Sequence, residues 1–334
     1  MNRGGLMKLS LVSLAVTLTI VSFSVLAVMS ADYPTKPIMF MAPASAGGGW
    51  DTTARTIAAI MQKEKIIPQP LQVFNREGAF GTIGLVELIQ QNPKNPYMIM
   101  VTSPPILLGE LTGTTQYGYK DVTPLANVIT DYIILAVKDD SPLRTFHDLL
   151  AALKKSPSSV KMCGGSMPGS MNHLPLLYVL HAAGIDIKSV AYLGFTGDGK
   201  ALVSLMGGHV DLASVSVGPS ITYLEAKKIR ALAILSDKRV EGPIVRDIPT
   251  ARELGADAVY PIWRGIMGPP DMPEYALVYL QEAFARLVKT KSWREELGRK
   301  HWFDSFDTKG FKAFLAKEYE KNKMLLDMVG LLKK

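Results

Sequence analysis

PIMFMAPASAGGGWDTTAR, residues 37–55, passes from an apolar run through serine and three glycines into a stretch with helical period. Residues 37–42 are short and apolar, as a buried strand requires, while Ala54, Ile57, Ala58 and Met61 recur at i, i+3, i+4 and i+7 over residues 51–61. A strand turning at glycine into a helix is half of a βαβ unit. The same order returns twice more. Residues 160–163 run into GGSMPGSMN (164–172), and residues 190–193 run into GFTGDG (194–199), each ahead of another helix. This alternation predicts an α/β fold with mostly parallel strands.

Working outward, strands are expected at 71–74, 97–102, 210–215 and 230–236. Helices are expected at 84–91, 145–154, 174–183, 200–206 and 220–227, with Gly184 and Gly207-Gly208 as C-terminal stops. Residues 274–288, 292–300 and 308–332 read as closing helices. LANVITDYIILAV (125–137) is long and apolar for one strand, and VYPIWRGIM (259–267) is similar. Both are expected to cross between two α/β lobes, of residues 32–130 plus 249–334 and of residues 131–248. Two crossing strands without a loose linker imply an interlobe ligand cleft that closes on a hinge.

The length of 334 residues suits two such lobes. Hydrophobic residues make up 48% and charged residues 20%, which excludes a wholly disordered chain. Of the net +7, Arg3 and Lys8 lie before the first apolar block, so the remaining excess is mild. It favours an anionic ligand, and no basic tract interleaved with aromatics indicates nucleic acid. Cys163 is the single cysteine, so neither an intrachain disulfide nor a cysteine-rich zinc site can form. MNRGGLMK, then an apolar block at residues 9–29, then Ser30 and Ala31, form an N-terminal export signal over residues 1–31. The block is also long enough to remain as a membrane anchor. Small residues at its end favour cleavage, and the expected location is the periplasm or another extracytoplasmic space.

Three strand-to-helix junctions rich in Gly and Ser place free N–H groups on one side of a parallel sheet, where an anion is welcome. Candidate ligand-binding residues are therefore Ala44, Ser45, Gly47, Gly48, Gly49 and Trp50 in the first loop. In the second they are Gly165, Ser166, Gly169 and Ser170, and in the third Gly194, Thr196, Gly197 and Asp198. Trp263 and Arg264, with Arg76, offer stacking and charge to an acid, or else packing and surface ion pairs. Asp51 is expected to cap the first helix and pair with Arg55. Ser170 or Asn172 is expected to cap the second.

Enzyme signatures are weak. GGSMP at 164–168 lacks the final glycine of G-x-S-x-G, and GGGWDTTA matches no nucleotide-binding loop. None of His147, His173, His181, His209 and His301 belongs to an H-E-x-x-H motif, so no metal or cofactor is expected. An exported serine hydrolase using Ser166 or Ser170, with His173 nearby, is the enzymatic alternative. A membrane-anchored carboxylate sensor is a third reading.

YPTKPIMFMAPASAGGGWDTTAR (33–55), FNREGAFGTIG (74–84), KMCGGSMPGSMNHL (161–174), YLGFTGDGKALVSLMGGHVDLA (192–213) and WRGIMGPPDMPE (263–274) occur in an order that resembles the tripartite tricarboxylate transporter receptors. These are also called Bug-type extracytoplasmic solute receptors, and Trp50 with the WRG variant resembles the tricarboxylate-binding branch. The resemblance implies a periplasmic binding protein type II-like, Venus-flytrap fold and no catalysis. It implies capture of a citrate-like di- or tricarboxylate through loop N–H groups and ordered water, and delivery by a monomeric receptor to a membrane permease of two subunits. Asp198 and Lys200 depart from the small residues or proline usual there in the family.

If the N-terminal segment is an export signal, intact mass of the exported protein will show a species shortened by about 30 residues. A species beginning at Met1 would establish the anchor instead.

Overall fold

The computed structural model describes residues 33–44 and 46–333; the expected export segment and Ser45 lie outside the described residues. β1 (Ile38–Ala42) lies between two parallel neighbours, β2 (Leu71–Asn75) and β3 (Met98–Thr102). α1 (Gly49–Lys63) and α2 (Thr82–Gln91) make the connections between them. A parallel strand covered on both faces needs apolar residues on both. Hence IMFMA shows no alternation, and Ile38, Phe40, Met41 and Ala42 are all inaccessible to solvent.

Beyond β3 and the short α3 (Pro105–Leu111) the sheet becomes antiparallel. β9 (Pro261–Gly268) pairs with β3 and with the long β4 (Thr123–Lys138). β10 (Phe303–Asp307) also joins β4. β4 changes partners along its length. Residues 123–132 pair with β9, and residues 133–138 pair with β7 (Leu212–Ser216) and β8 (Ile229–Ile234). The second group of strands continues in parallel from β7 to β5 (Met162–Gly164) and β6 (Tyr192–Gly194). The full order is β2-β1-β3-β9-β4-β7-β5-β6. α4 (Phe146–Lys155), α5 (His173–Ala182), α6 (Asp198–Met206) and α7 (Val217–Glu225) accompany the second group. α8 (Glu274–Leu287), α9 (Lys291–Lys300) and α10 (Phe311–Met328) come after β9.

The crossing expected at 125–137 is made by β4. The one expected at 259–267 is also found: Tyr260 N–H bonds Leu235 O (3.0 Å), which follows β8 and itself donates to Ile133 O (3.0 Å), and from Pro261 the chain pairs as β9 with β3 and β4. α10 adds a tie of its own. Its Leu325 and Leu326 share one core with Leu108 and Leu111 of α3 and with Leu176 and Leu180 of α5.

Other departures have local causes. α7 starts at Val217, three residues earlier than expected, because Gly218-Pro219 is a helix start rather than a loop; proline lacks only an N–H that the first turn leaves unbonded. β10 (FDSFD) carries two acids in five residues, and its strand state comes from pairing with β4. No helix among the described residues is long and apolar enough to cross a membrane.

On β9, alternation sends neighbouring side chains to opposite faces. Trp263 goes into the core, fully buried, with its ring centroid 5.7 Å from Phe311 and 6.0 Å from Phe314. It is therefore a core residue and not the ligand contact expected from the sequence. Gly265, two residues on, has no room for a Cβ because the Phe311 ring occupies the space. Gly265→Ala is expected to cost about 1–3 kcal/mol by overpacking, and Phe311→Leu in the same chain should return part of it. Urea unfolding measures both; an unchanged midpoint in Gly265→Ala would contradict this packing.

Candidate functional site

A cavity of about 780 Å³ opens where the helices of both strand groups begin. The first-lobe wall starts at α1. Gly48 is its N-cap, and Thr52 N–H to Gly48 O (2.8 Å) is the first helical bond, so the N–H groups of Gly49 and Trp50 precede the helical ladder. Asp51 does not cap the helix. Its side chain is buried behind the loop, accepting from Gly47 N–H (2.8 Å), Arg55 Nε (2.8 Å) and Asn75 Nδ2 (2.9 Å). Burial alone would raise its pKa, but these bonds, Arg55 foremost, hold the carboxyl below the usual range. Its charge is thereby spent on the loop and not aimed at the cavity.

Trp50 donates Nε1–H to Ser103 Oγ (3.0 Å), and its ring lies over Gly81, where a Cβ would collide with it. Arg264 reaches the cavity from β9. Its Nη1 donates to Thr53 Oγ1 (2.9 Å), and its guanidinium lies 5.2 Å from the centre of the Trp302 ring. Lys300 Nζ lies 5.3 Å from the same ring. Trp302 reaches this place because α9 ends in a left-handed His301 (φ 52°), after which Trp302 N–H bonds back to Leu297 O (3.0 Å).

Asp131 and Ile133 face the cavity from β4. Asp131 stands opposite Ile262 in the ladder while Arg264 stands opposite Ile129, so acid and base are diagonal neighbours on one face. Asp131 is 3% exposed, and burial pushes its pKa up to about 6 against the opposing pull of Arg264. Since the folded value is the higher one, stability from this group is present below the ordinary value of 3.8 and is lost as the pH rises from there through about 6.

The second-lobe wall is organised by Asp198, at the start of α6. Its Oδ1 accepts from Asn172 Nδ2 (2.8 Å) and its Oδ2 from Ser216 N–H (2.9 Å), and the Ser216 hydroxyl and Gly165 N–H add two further bonds. Asn172 Nδ2 also donates to Ser214 O (2.9 Å), so three loops are tied at one carboxylate. Burial raises the pKa of Asp198 despite these donors. Gly165 has to be glycine, because Asp198 fills the place of a Cβ.

Of the residues expected from the sequence, Ala44, Gly47, Gly49, Trp50, Gly165, Gly197, Asp198 and Arg264 line this one cavity. Others are used elsewhere. Ser166 Oγ accepts from Asn172 N–H (2.8 Å), and Ser170 Oγ donates to Met167 O (2.6 Å). Gly169 N–H donates to His173 Nδ1 (2.9 Å), which burial keeps neutral, with a pKa lowered to about 4. The serine and histidine of the hydrolase reading thus serve loop closure. Gly194 lies against the backbone of Ser166 and Met167, and Thr196 Oγ1 accepts from Lys200 Nζ (2.8 Å) at the surface. Gly48 acts as a cap, and Arg76 pairs with Glu87 (2.5 Å) away from the cavity. Asn172 precedes α5 without capping it through its side chain.

Missed in the sequence were Ser103, Asp131, Ser216, Gly218, Lys300 and Trp302. Asp131 did carry a signal, as the lone charge inside LANVITDYIILAV. Lys300 and Trp302 carried none, because only the turn at His301 brings them in.

Comparison with known proteins gives a consistent result. The described fold is similar to the crystal structure of a TctC solute-binding protein from Polaromonas, 28% identical, with a TM-score of 0.76 over 88% of this chain and 99% of that one. It also shares its fold with R. palustris Rpa4515 with adipate, 23% identical, with a TM-score of 0.75 over 90% and 99%. The UPF0065 protein in the TAR-I ttuE-ttuC' intergenic region of Agrobacterium vitis is 30% identical over 83% of this chain and 78% of its own length. Residues 53–331 match the model of the tripartite tricarboxylate transporter family receptor. The chain belongs to that family of solute-binding receptors, whose members are periplasmic and not an enzyme class.

Proposed function

We propose that this chain is exported by its N-terminal signal, captures an organic acid with two or more carboxylates in the interlobe cavity, and delivers it to the permease subunits of a tripartite transporter. The observation that carries this reading is the first-lobe wall. The unbonded N–H groups opening α1 and the charged Arg264 face one cavity, with Lys300 across the Trp302 ring. Helix start and guanidinium together suit carboxylates. We take residues 32–130 plus 249–334 and residues 131–248 as the two lobes, closing over the ligand.

A thermal-shift screen over organic acids tests the class, since a ligand at 100 times its Kd stabilises the native state by about 2.7 kcal/mol. For the acid that stabilises most, Arg264→Gln should lose about 1.5–3 kcal/mol of binding by calorimetry. Arg76→Gln should lose none, because that arginine is engaged with Glu87. Equal losses in both variants would move the carboxylate site off Arg264, and a screen without hits would end the carboxylate reading.

A further inference from the structure

We propose, resting on the closure of two lobes given above, that Lys321 and Glu318 of α10 are positioning residues: they grip the crossing at Tyr260, hold the two cavity walls together and so set binding affinity from outside the cavity. α10 touches both lobes. At its start Phe311 and Leu315 share a core with Trp263 and Met267 of β9, and near its end Leu325 and Leu326 share one with Leu176 and Leu180 of α5. Past the helix the chain meets the second glycine loop, where a Cβ on Gly169 would stand 2.9 Å from Leu331 Cδ1. A stiff helix packed on both lobes fixes their relative position once it is clamped between them.

The clamp lies midway along it. Lys321 Nζ donates to Glu318 Oε1 (2.7 Å) and to Val259 O (3.4 Å), and stands 4.6 Å from the centre of the Tyr260 ring. Tyr260 OH donates to Asn322 Oδ1, and Asn322 Nδ2 donates to Glu318 O (2.7 Å). Tyr260 N–H is the bond to Leu235 O that makes the crossing, and Ile262, two residues on, lines the cavity. Lys321 and Glu318 themselves are outside the cavity's lining.

Stability does not account for this pair. Glu318 is 5% exposed, and its Oε2 is buried with no hydrogen-bond partner among the described residues. Burial raises the pKa of Glu318 and lowers that of Lys321 despite their attraction for each other. Desolvating two such charges offsets what they return, so apolar residues of similar size would fold as well. What the charges supply is one register of α10 on the crossing. In that register the walls touch: Ser103 Oγ lies 3.8 Å from Met171 Sδ, and a Cβ on Gly218 would stand 3.4 Å from Lys300 O. The gripped arrangement is therefore the one with the walls together, which a molecule spanning both walls binds best.

Two variants of the exported chain release the grip without leaving a lone charge: Glu318→Gln together with Lys321→Met, and Tyr260→Phe. Circular dichroism reports whether each is folded. Without any acid present, X-ray scattering should give each folded variant a larger radius of gyration than the unsubstituted chain. By calorimetry, whichever of succinate, adipate and citrate binds the unsubstituted chain should bind the variants at least about fivefold more weakly. Phe284→Leu, in a core that α10 does not enter, is the control for general loosening and should change neither reading. An unchanged radius in the folded variants, or the same expansion in Phe284→Leu, overturns the grip. A larger radius with unchanged affinity overturns its effect on binding. If none of the three acids binds the unsubstituted chain, it is the carboxylate reading that fails, and the radius still decides this inference.

Discussion

The backbone N–H and C=O groups along β4 need partners because the strand is buried for most of its 16 residues, and a buried amide left unpaired is costly. One set of neighbours does not cover that length. β9 and β10 serve residues 123–132, whereas β7 and β8 serve residues 133–138. The change of partners between Tyr132 and Ile133 falls one residue beyond Asp131, which is why an acid on this strand stands at the boundary between two sheets. It also explains how two groups of helix starts converge. Each sheet sends the C-terminal ends of its parallel strands toward the same gap, and the glycine loops follow those ends.

The two walls of that gap solve the problem of exposed helix starts differently. On the first, Asp51 is drawn behind the loop by Gly47, Arg55 and Asn75, leaving the earliest N–H groups of α1 toward the cavity. On the second, Asp198 sits in front and takes the amides for itself. Both aspartates stand in the first turn of a helix, Asp51 as its third residue and Asp198 as its first. Their directions differ because Asp51 has an arginine one turn later to pair with, while α6 has Lys200, whose Nζ goes outward to Thr196.

Local signals carried most of the architecture. The glycine junctions, the apolar run of β1 and the period of α1 identify the α/β alternation, because each is decided within about 20 residues. What depends on distant partners stayed hidden. VYPIWRGIM has the composition of a crossing strand, and only its pairing shows where it crosses, with Tyr260 bonded to Leu235 and the rest, from Pro261, joined to β3 and β4. Within it, Trp263 and Arg264 looked alike as ligand contacts. The pleat separates them, placing one against Phe311 and the other in the cavity. Ser166 and Ser170 were equally good donors in sequence, and each is consumed by its own loop.

The cavity edge opposite α1 is formed by the end of α9 and the beginning of α7. A Cβ on Gly218 would stand 3.4 Å from Lys300 O, so the negative end of one helix meets the positive start of the other. That start is already shared by Asp198 and Asp131, which accept its first amides. Ser103 Oγ to Met171 Sδ (3.8 Å) is a second contact between the walls, weak in itself. Neither contact is a strong bond. A ligand that bonds groups on both walls is held more tightly when the walls are together than apart, which is the condition under which occupancy and closure are coupled.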